Sequence, residues 1–152
     1  DAIEAVNLSY TIVPGITAAS AAVAGIGQSL TKRGRNSAVR IITGHDTKDY
    51  VDHDWAALAQ SGQVAAIYMG KKSARFIQGR LLMHGADAAT PVTIIENVSR
   101  ANQRVIATTL GALEPTISDA NLTGPALTFL GLAPRAALSA ALTHPDLQLE
   151  AL

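Results

Sequence analysis

Short apolar runs that end in turns, most of them glycine-bearing, each followed by a helix-like or late strand-like segment, constrain this chain more than any other feature. Residues 9–13, "SYTIV", read as a strand, and "TAASAAVAGI", after the Pro14-Gly15 turn, reads as a helix of small residues. "SAVRIITG" and "QVAAIYMG" are two further strands; between them lies the short helix "DWAALAQ", opened by Asp54, whose carboxylate can accept first-turn amide hydrogens. "KSARFIQGRLLMHG" is a helix with Gly85 as its C-cap, and "TPVTIIEN" is a strand. "QRVIATTLGAL" is β-branched and reads as extended, "TISDANL" as a helix or a loop, and "GPALTFLGLA" as the last strand. Such alternation predicts an α/β fold with a mixed sheet flanked by helices, mixed because strands crowd together late in the chain.

The opening "DAIEAV" looks like the last turns of a helix already under way, with no capping residue ahead of it. Residues 1–9 are therefore expected to be the end of a helix or linker from a preceding domain, 10–133 one domain, and 134–152 a peripheral Ala/Leu-rich tail. A length of 152 residues, 48% of them hydrophobic, suffices for one real core. Lys+Arg and Asp+Glu both number 12, so the chain lacks the one-signed field of a nucleic-acid or membrane-surface binder, and its partner is expected to be small. With no cysteine there are no disulfides, thiolate nucleophiles or cysteine zinc sites, which is compatible with a reducing cytoplasm. No apolar run approaches the roughly 18–20 residues of a membrane span, and the chain reads as soluble.

Ligands of open α/β sheets sit beyond the carboxyl ends of strands, which directs the search to the turns "VPGITAAS", "ITGHD", "YMGKK" and "IENVS". In the first, the Thr17 hydroxyl is placed to cap the helix, and the small residues from Ala18 to Ala22 admit close approach either of a ligand or of the neighbouring strand. Neither a G-x-G-x-x-G fingerprint nor a Walker A motif is present. The cluster "HDTKDYVDHD" fits no metal-ligand spacing and reads as a solvated loop with a helix cap; His84 and His144 have no evident catalytic partner, and Ser29, Ser37 and Ser73 lack a nucleophile elbow. Lys32, Arg33 and Arg35 in "TKRGR", Lys71 and Lys72 in "MGKK", and Arg100 and Arg104 in "SRANQR" gather beside strand ends. They suit an acidic small molecule or equally a solvated surface.

Taken in order, "VPGITAASAAVAGI", "LTKR", "VRIITGH", "DWAALA", "IYMG", "TPVTIIENVSRANQRV" and "GPALTFLG" resemble the second half of a uroporphyrinogen-III C-methyltransferase, a tetrapyrrole methylase also found fused in sirohaem synthase. The resemblance runs from Tyr10 to Ala133. It implies the second of two α/β domains, S-adenosylmethionine (SAM) bound between them, and a homodimer that methylates carbons 2 and 7 of uroporphyrinogen III to precorrin-2, on the way to sirohaem or cobalamin. Other precorrin methyltransferases of the cobalamin pathway share the fold, and a non-catalytic dimerisation domain is the alternative from another class. The catalytic Asp and Lys of the family belong to its first domain, so none is placed here.

Residue by residue, the resemblance implies that Thr17, Ala18 and Met69 meet SAM, that Ala126 and Leu127 line an adenine pocket, and that Arg33 of a T-x-R motif grips a substrate carboxylate. The family's "E-N-G-T" is here "ENVS", putting Val98 where a glycine meets SAM, and "T-H-R" is "TKR". A β-branched residue tolerates positive φ poorly, so a narrowed pocket or a different backbone is expected at Val98.

Overall fold

The computed structural model describes residues 2–47 and 50–135. The helices are α1 (Ala2–Ala5), α2 (Ala18–Gly25), α3 (Trp55–Leu58), α4 (Ala74–Met83) and α5 (Leu113–Asp119); the strands are β1 (Arg40–Thr43), β2 (Ala65–Tyr68), β3 (Pro91–Glu96), β4 (Arg104–Thr109) and β5 (Ala126–Leu130). All five strands join one sheet in the order β1-β2-β5-β3-β4. Only β1 and β2 pair in parallel; β5 lies antiparallel between β2 and β3, and β4 antiparallel on the far side of β3. The sheet is mixed, as the crowding of late strands predicts.

Period-two alternation divides the core between the sheet's two faces. Ala65 and Ile67 of β2 with Val92 and Ile94 of β3 point to one side, where Trp55, Leu58, Ile77, Leu81 and Leu113 of α3, α4 and α5 cover them. Val64 and Ala66, with Ile95, Leu127 and Phe129, face the other side, against Ala19, Ala22 and Val23 of α2. The small side chains of α2 let its axis lie close to the sheet, and Ala19 is fully buried.

Two caps form where the residue types require them. Thr17 Oγ1 accepts the Ser20 N–H at 3.1 Å, and Asp54 Oδ1 accepts the Ala57 N–H at 3.0 Å. After α4, His84 is the cap residue and Gly85 takes the left-handed conformation just beyond it (φ 86°).

Two segments depart from expectation. "SYTIV" is not a strand: residues 8–17 carry no regular structure, and Ile12, Val13 and Ile16 are 82%, 79% and 84% exposed. A strand exists only by pairing, and among the described residues nothing pairs with this one. The extended run beginning at Gln103 stops at Thr109; Leu110–Ala112 form a 3₁₀ turn leading into α5, whose first turn contains Pro115, where a missing N–H costs nothing. The expected tail lies, from residue 136 onward, outside the described residues.

Candidate functional site

The strands β1, β2 and β3 end on the same side of the sheet, where the antiparallel β5 begins. The β2–β5 ladder closes with the pair Tyr68–Leu127. Past it Met69 turns away with φ 53°, while the chain entering β5 arrives through Gly124 and Pro125, and the two segments splay apart. Two adjoining cavities of about 400 and 290 Å³ fill the opening and share Tyr68, Pro125 and Ala126 as walls.

Of the residues singled out from sequence, Met69 and Ala126 border the larger cavity, and Ala18, Val98, Ala126 and Leu127 border the smaller. Segments some 110 residues apart in the chain, Ala18 and Leu127, thus meet at one cleft. Thr17 lies beside it as the cap of α2, its hydroxyl engaged by Ser20. Arg33 is not brought to the cleft. It stands exposed on a hairpin closed by the Lys32–Asn36 bridge and borders a separate open groove built from residues 31–37. Its neighbour Arg35 is the structural arginine of that loop, donating to the carbonyls of Ser29 and Leu30 and to the side chains of Gln28 and Asn36.

Val98 resolves its backbone conflict through its neighbours. Asn97 and Ser99 take the positive φ angles, 54° and 62°, and Val98 itself does not. Its side chain packs partly buried against the α2 face of the core while edging the smaller cavity.

Sequence reasoning passed over Tyr68, whose hydroxyl accepts the Ala19 N–H at 2.9 Å and so ties the first turn of α2 to the end of β2. Its position just before Met69 was the available signal. Glu96 was also missed. This buried carboxylate accepts the Gly124 N–H at 2.6 Å and pairs with Arg104 at 3.2 Å. Chiefly the Gly124 hydrogen bond, and beyond it the Arg104 charge, hold its pKa below the ordinary carboxylate value despite burial, which pushes the other way. Lys71, left open above between ligand and surface, borders the larger cavity with its ammonium on the carbonyls of Leu122 (2.8 Å) and Gly124 (3.5 Å).

Asp52, His53 and Asp54 of the His/Asp cluster serve structure, the last as the cap of α3, whereas His45 borders the larger cavity. His53 Nε2–H donates to the Thr43 carbonyl at 2.8 Å, and Asp52 accepts from the Trp55 indole at 2.8 Å and pairs with Arg80 at 3.6 Å. Among the described residues no group of acidic and histidine side chains is arranged to hold a metal ion. No helix of the described residues is long and apolar enough to cross a membrane.

Comparison with known proteins agrees with this architecture. Residues 1–114 match the family model described as Tetrapyrrole (Corrin/Porphyrin) Methylases. A sirohaem synthase of Pseudoalteromonas translucida is 46% identical over 125 residues, covering 82% of this chain and 26% of that protein, and sirohaem synthase 1 of Cronobacter sakazakii is 42% identical over 131 residues, 86% and 27%. The chain thus spans about a quarter of the length of these relatives. Among solved structures, a cobalt precorrin-4 methyltransferase superimposes with a TM-score of 0.75 at 18% identity, over 86% of this chain and 55% of that one. The uroporphyrin-III C-methyltransferase of Thermus thermophilus, complexed with S-adenosyl homocysteine, gives 0.69 at 24%, over 88% and 57%. The chain belongs to the tetrapyrrole methylase family.

Proposed function

We propose that this chain is the second, cofactor-binding half of a SAM-dependent methyltransferase acting on a tetrapyrrole, with uroporphyrinogen III as substrate and precorrin-2 as product. The observation that carries the reading is the convergence of Ala18, Met69, Val98, Ala126 and Leu127 on one cleft at the strand ends. The sirohaem synthases at 40–46% identity favour uroporphyrinogen III over a later precorrin. The cleft suits the nucleoside part of SAM: its walls are apolar at Met69, Pro125, Ala126 and Leu127, and small at Ala18, and no carboxylate of the described residues borders it.

When bound, SAM supplies an electrophilic methyl group on a sulfonium, which an electron-rich pyrrole carbon can attack without metal or nucleophile from the protein. Alignment then dominates the rate. This half would contribute a preformed wall that orients the donor and excludes water. Arg33, exposed and without a partner among the described residues, would meet a propionate or acetate of the substrate from its separate hairpin.

A preceding domain is the proposed partner of residues 6–16, whose exposed Val6, Leu8, Ile12, Val13 and Ile16 form an apolar run with nothing against it among the described residues. The working protein is proposed to be a cytoplasmic homodimer. Incubating the full-length protein with SAM and enzymatically generated uroporphyrinogen III, and following methylated product by mass spectrometry, tests the reading. Two added methyl groups are expected; no transfer, or transfer only to a later precorrin, overturns it. The chain without the preceding domain is expected to bind SAM weakly or not at all in calorimetry.

A further inference from the structure

We propose that Lys71 is a positioning residue for the methyl donor: it sets the width of the cleft by clamping, together with Glu96, the 120–125 turn that forms the cleft's wall. The inference rests on the reading that the cleft holds SAM.

Its basis is the way β2 and β5 part. Past the Tyr68–Leu127 pair no ladder hydrogen bond holds the two segments together, and the opening between them is the larger cavity. Lys71 spans this gap. It leaves the backbone just after the Met69-Gly70 turn, and its ammonium reaches the Leu122 and Gly124 carbonyls at 2.8 and 3.5 Å on the opposite side.

The same turn is gripped elsewhere by groups of matching sign. Glu96 Oε1 accepts the Gly124 N–H at 2.6 Å, the other carboxylate oxygen takes Arg104 at 3.2 Å, and Arg104 in turn donates to the Ala120 carbonyl at 2.8 Å. The Asn97 N–H holds the Pro125 carbonyl at 2.9 Å. An ammonium on the turn's carbonyls and a carboxylate on its amide fix its peptide orientation, and Pro125 and Ala126, which follow directly, inherit that orientation as cavity walls. The Glu96, Arg104 and Asn97 contacts come from β3, β4 and the turn just after β3 and locate the 120–125 turn against the sheet; among the described residues only Lys71 ties it to the β2 side and so governs the gap. A wall fixed before the ligand arrives spares the ordering cost at binding, which is how such a residue raises affinity without touching the reacting atoms.

The test uses full-length protein as wild type, Lys71→Met and Lys71→Arg, with calorimetric affinities for SAM and for S-adenosylhomocysteine, ligand-free melting, and amide hydrogen exchange at Thr123 and Gly124. Methionine keeps the unbranched stem and removes the donor; arginine keeps a cationic donor. The expectation is that Lys71→Met weakens both ligands about tenfold, the order of the ordering cost that a wall no longer fixed in advance adds at binding. Exchange at Gly124 quickens, ligand-free melting moves little, and Lys71→Arg recovers most of the affinity. If Lys71→Met binds both ligands as wild type does, the inference is wrong. A change for SAM alone would also overturn it, because charge repulsion toward the sulfonium, and not wall geometry, would then be the role of Lys71. Affinity lost only in step with melting, without rescue by arginine, reduces Lys71 to a structural contact. Wild-type protein that binds neither ligand sinks the SAM reading and the inference together, which separates that failure from the other three.

Discussion

Ala18 and Ala19 are adjacent in sequence and opposite in surroundings, so the same enlargement at each should have opposite effects. Ala18 is exposed and borders the smaller cavity, whereas Ala19 is fully buried on the sheet-facing side of α2 and donates its N–H to Tyr68. At position 19 a leucine must displace the core residues of the α2 face, an overpacking that typically costs about 1–3 kcal/mol. Each kcal/mol corresponds to a fall of about 2–8 °C in melting temperature for domains of this size range. At position 18 the added carbons project into the cavity, and the ligand-free protein should change by no more than about 0.5 kcal/mol, as exposed substitutions generally do. The overpacking cost is then met only when SAM binds, and since about 1.4 kcal/mol is a factor of ten, affinity should drop roughly 5- to 150-fold. Measuring ligand-free melting and SAM affinity on both variants of the full-length protein gives a two-by-two outcome. Ala18→Leu should lose affinity and keep its melting temperature; Ala19→Leu should melt early, its surviving folded fraction binding nearly as wild type. Normal SAM affinity in Ala18→Leu would remove Ala18 from the site and refute the placement of the ligand against the α2 N-terminus.

Arg33→Ala in the full-length enzyme should weaken the porphyrinogen about tenfold to a hundredfold, the worth of a charge-assisted hydrogen bond, while SAM affinity stays constant; unchanged porphyrinogen kinetics would return Arg33 to solvated surface. Gly131, at the end of β5 remote from the cleft, has φ 78°, and a Cβ there would strike the Gln63 carbonyl. Gly131→Ala should therefore combine about 1–2 kcal/mol of left-handed strain with a backbone clash, lowering melting temperature while leaving SAM affinity of the folded protein intact. The pKa of Glu96 is depressed in the folded chain, first by the Gly124 N–H and then by Arg104, so its contribution is complete above the ordinary carboxylate value near 4.5 and is lost as pH falls through the lower folded value. Melting followed against pH should show that acid loss in wild type and a shallower one in Glu96→Gln; parallel curves would contradict it.

What the sequence made legible was local. The caps at Thr17 and Asp54 depend on one side chain and the next turn of helix, and the strands of β2 and β3 announce themselves by apolar runs that keep both faces buried. What escaped was pairwise over distance. "SYTIV" has the residue types of a strand, but strand formation needs a partner, and no described segment supplies one. The conflict at Val98 was anticipated at the wrong residue, because a turn can pass its left-handed angles to Asn97 and Ser99 on either side. Sequence also gave no means of separating Arg33 from Arg35, since the difference lies in which guanidinium finds the Ser29 and Leu30 carbonyls. Tyr68 with Ala19, Lys71 with Leu122 and Glu96 with Gly124 join positions 28 to 51 residues apart, and no periodicity marks such pairs.

Backbone strain collects where these long-range contacts do. Of the non-glycine residues with positive φ among those described, Met69, Asn97, Ser99 and Asn121 lie in the turns around the cleft, and Asn7 alone lies elsewhere. Asparagine tolerates the left-handed region, but methionine and serine adopt it at a cost on the order of 1 kcal/mol or more each. The surrounding structure offsets that cost: the Met69 turn is bracketed by the Tyr68–Ala19 bond and Lys71, and the Asn97–Ser99 turn by Glu96, by the Pro125 carbonyl on the Asn97 N–H, and by Gln103, which accepts the Ser99 N–H at 2.8 Å. On the proposed reading that the cleft holds SAM, the polar contacts that stabilise this end of the sheet are also the ones that fix the turns walling the cleft.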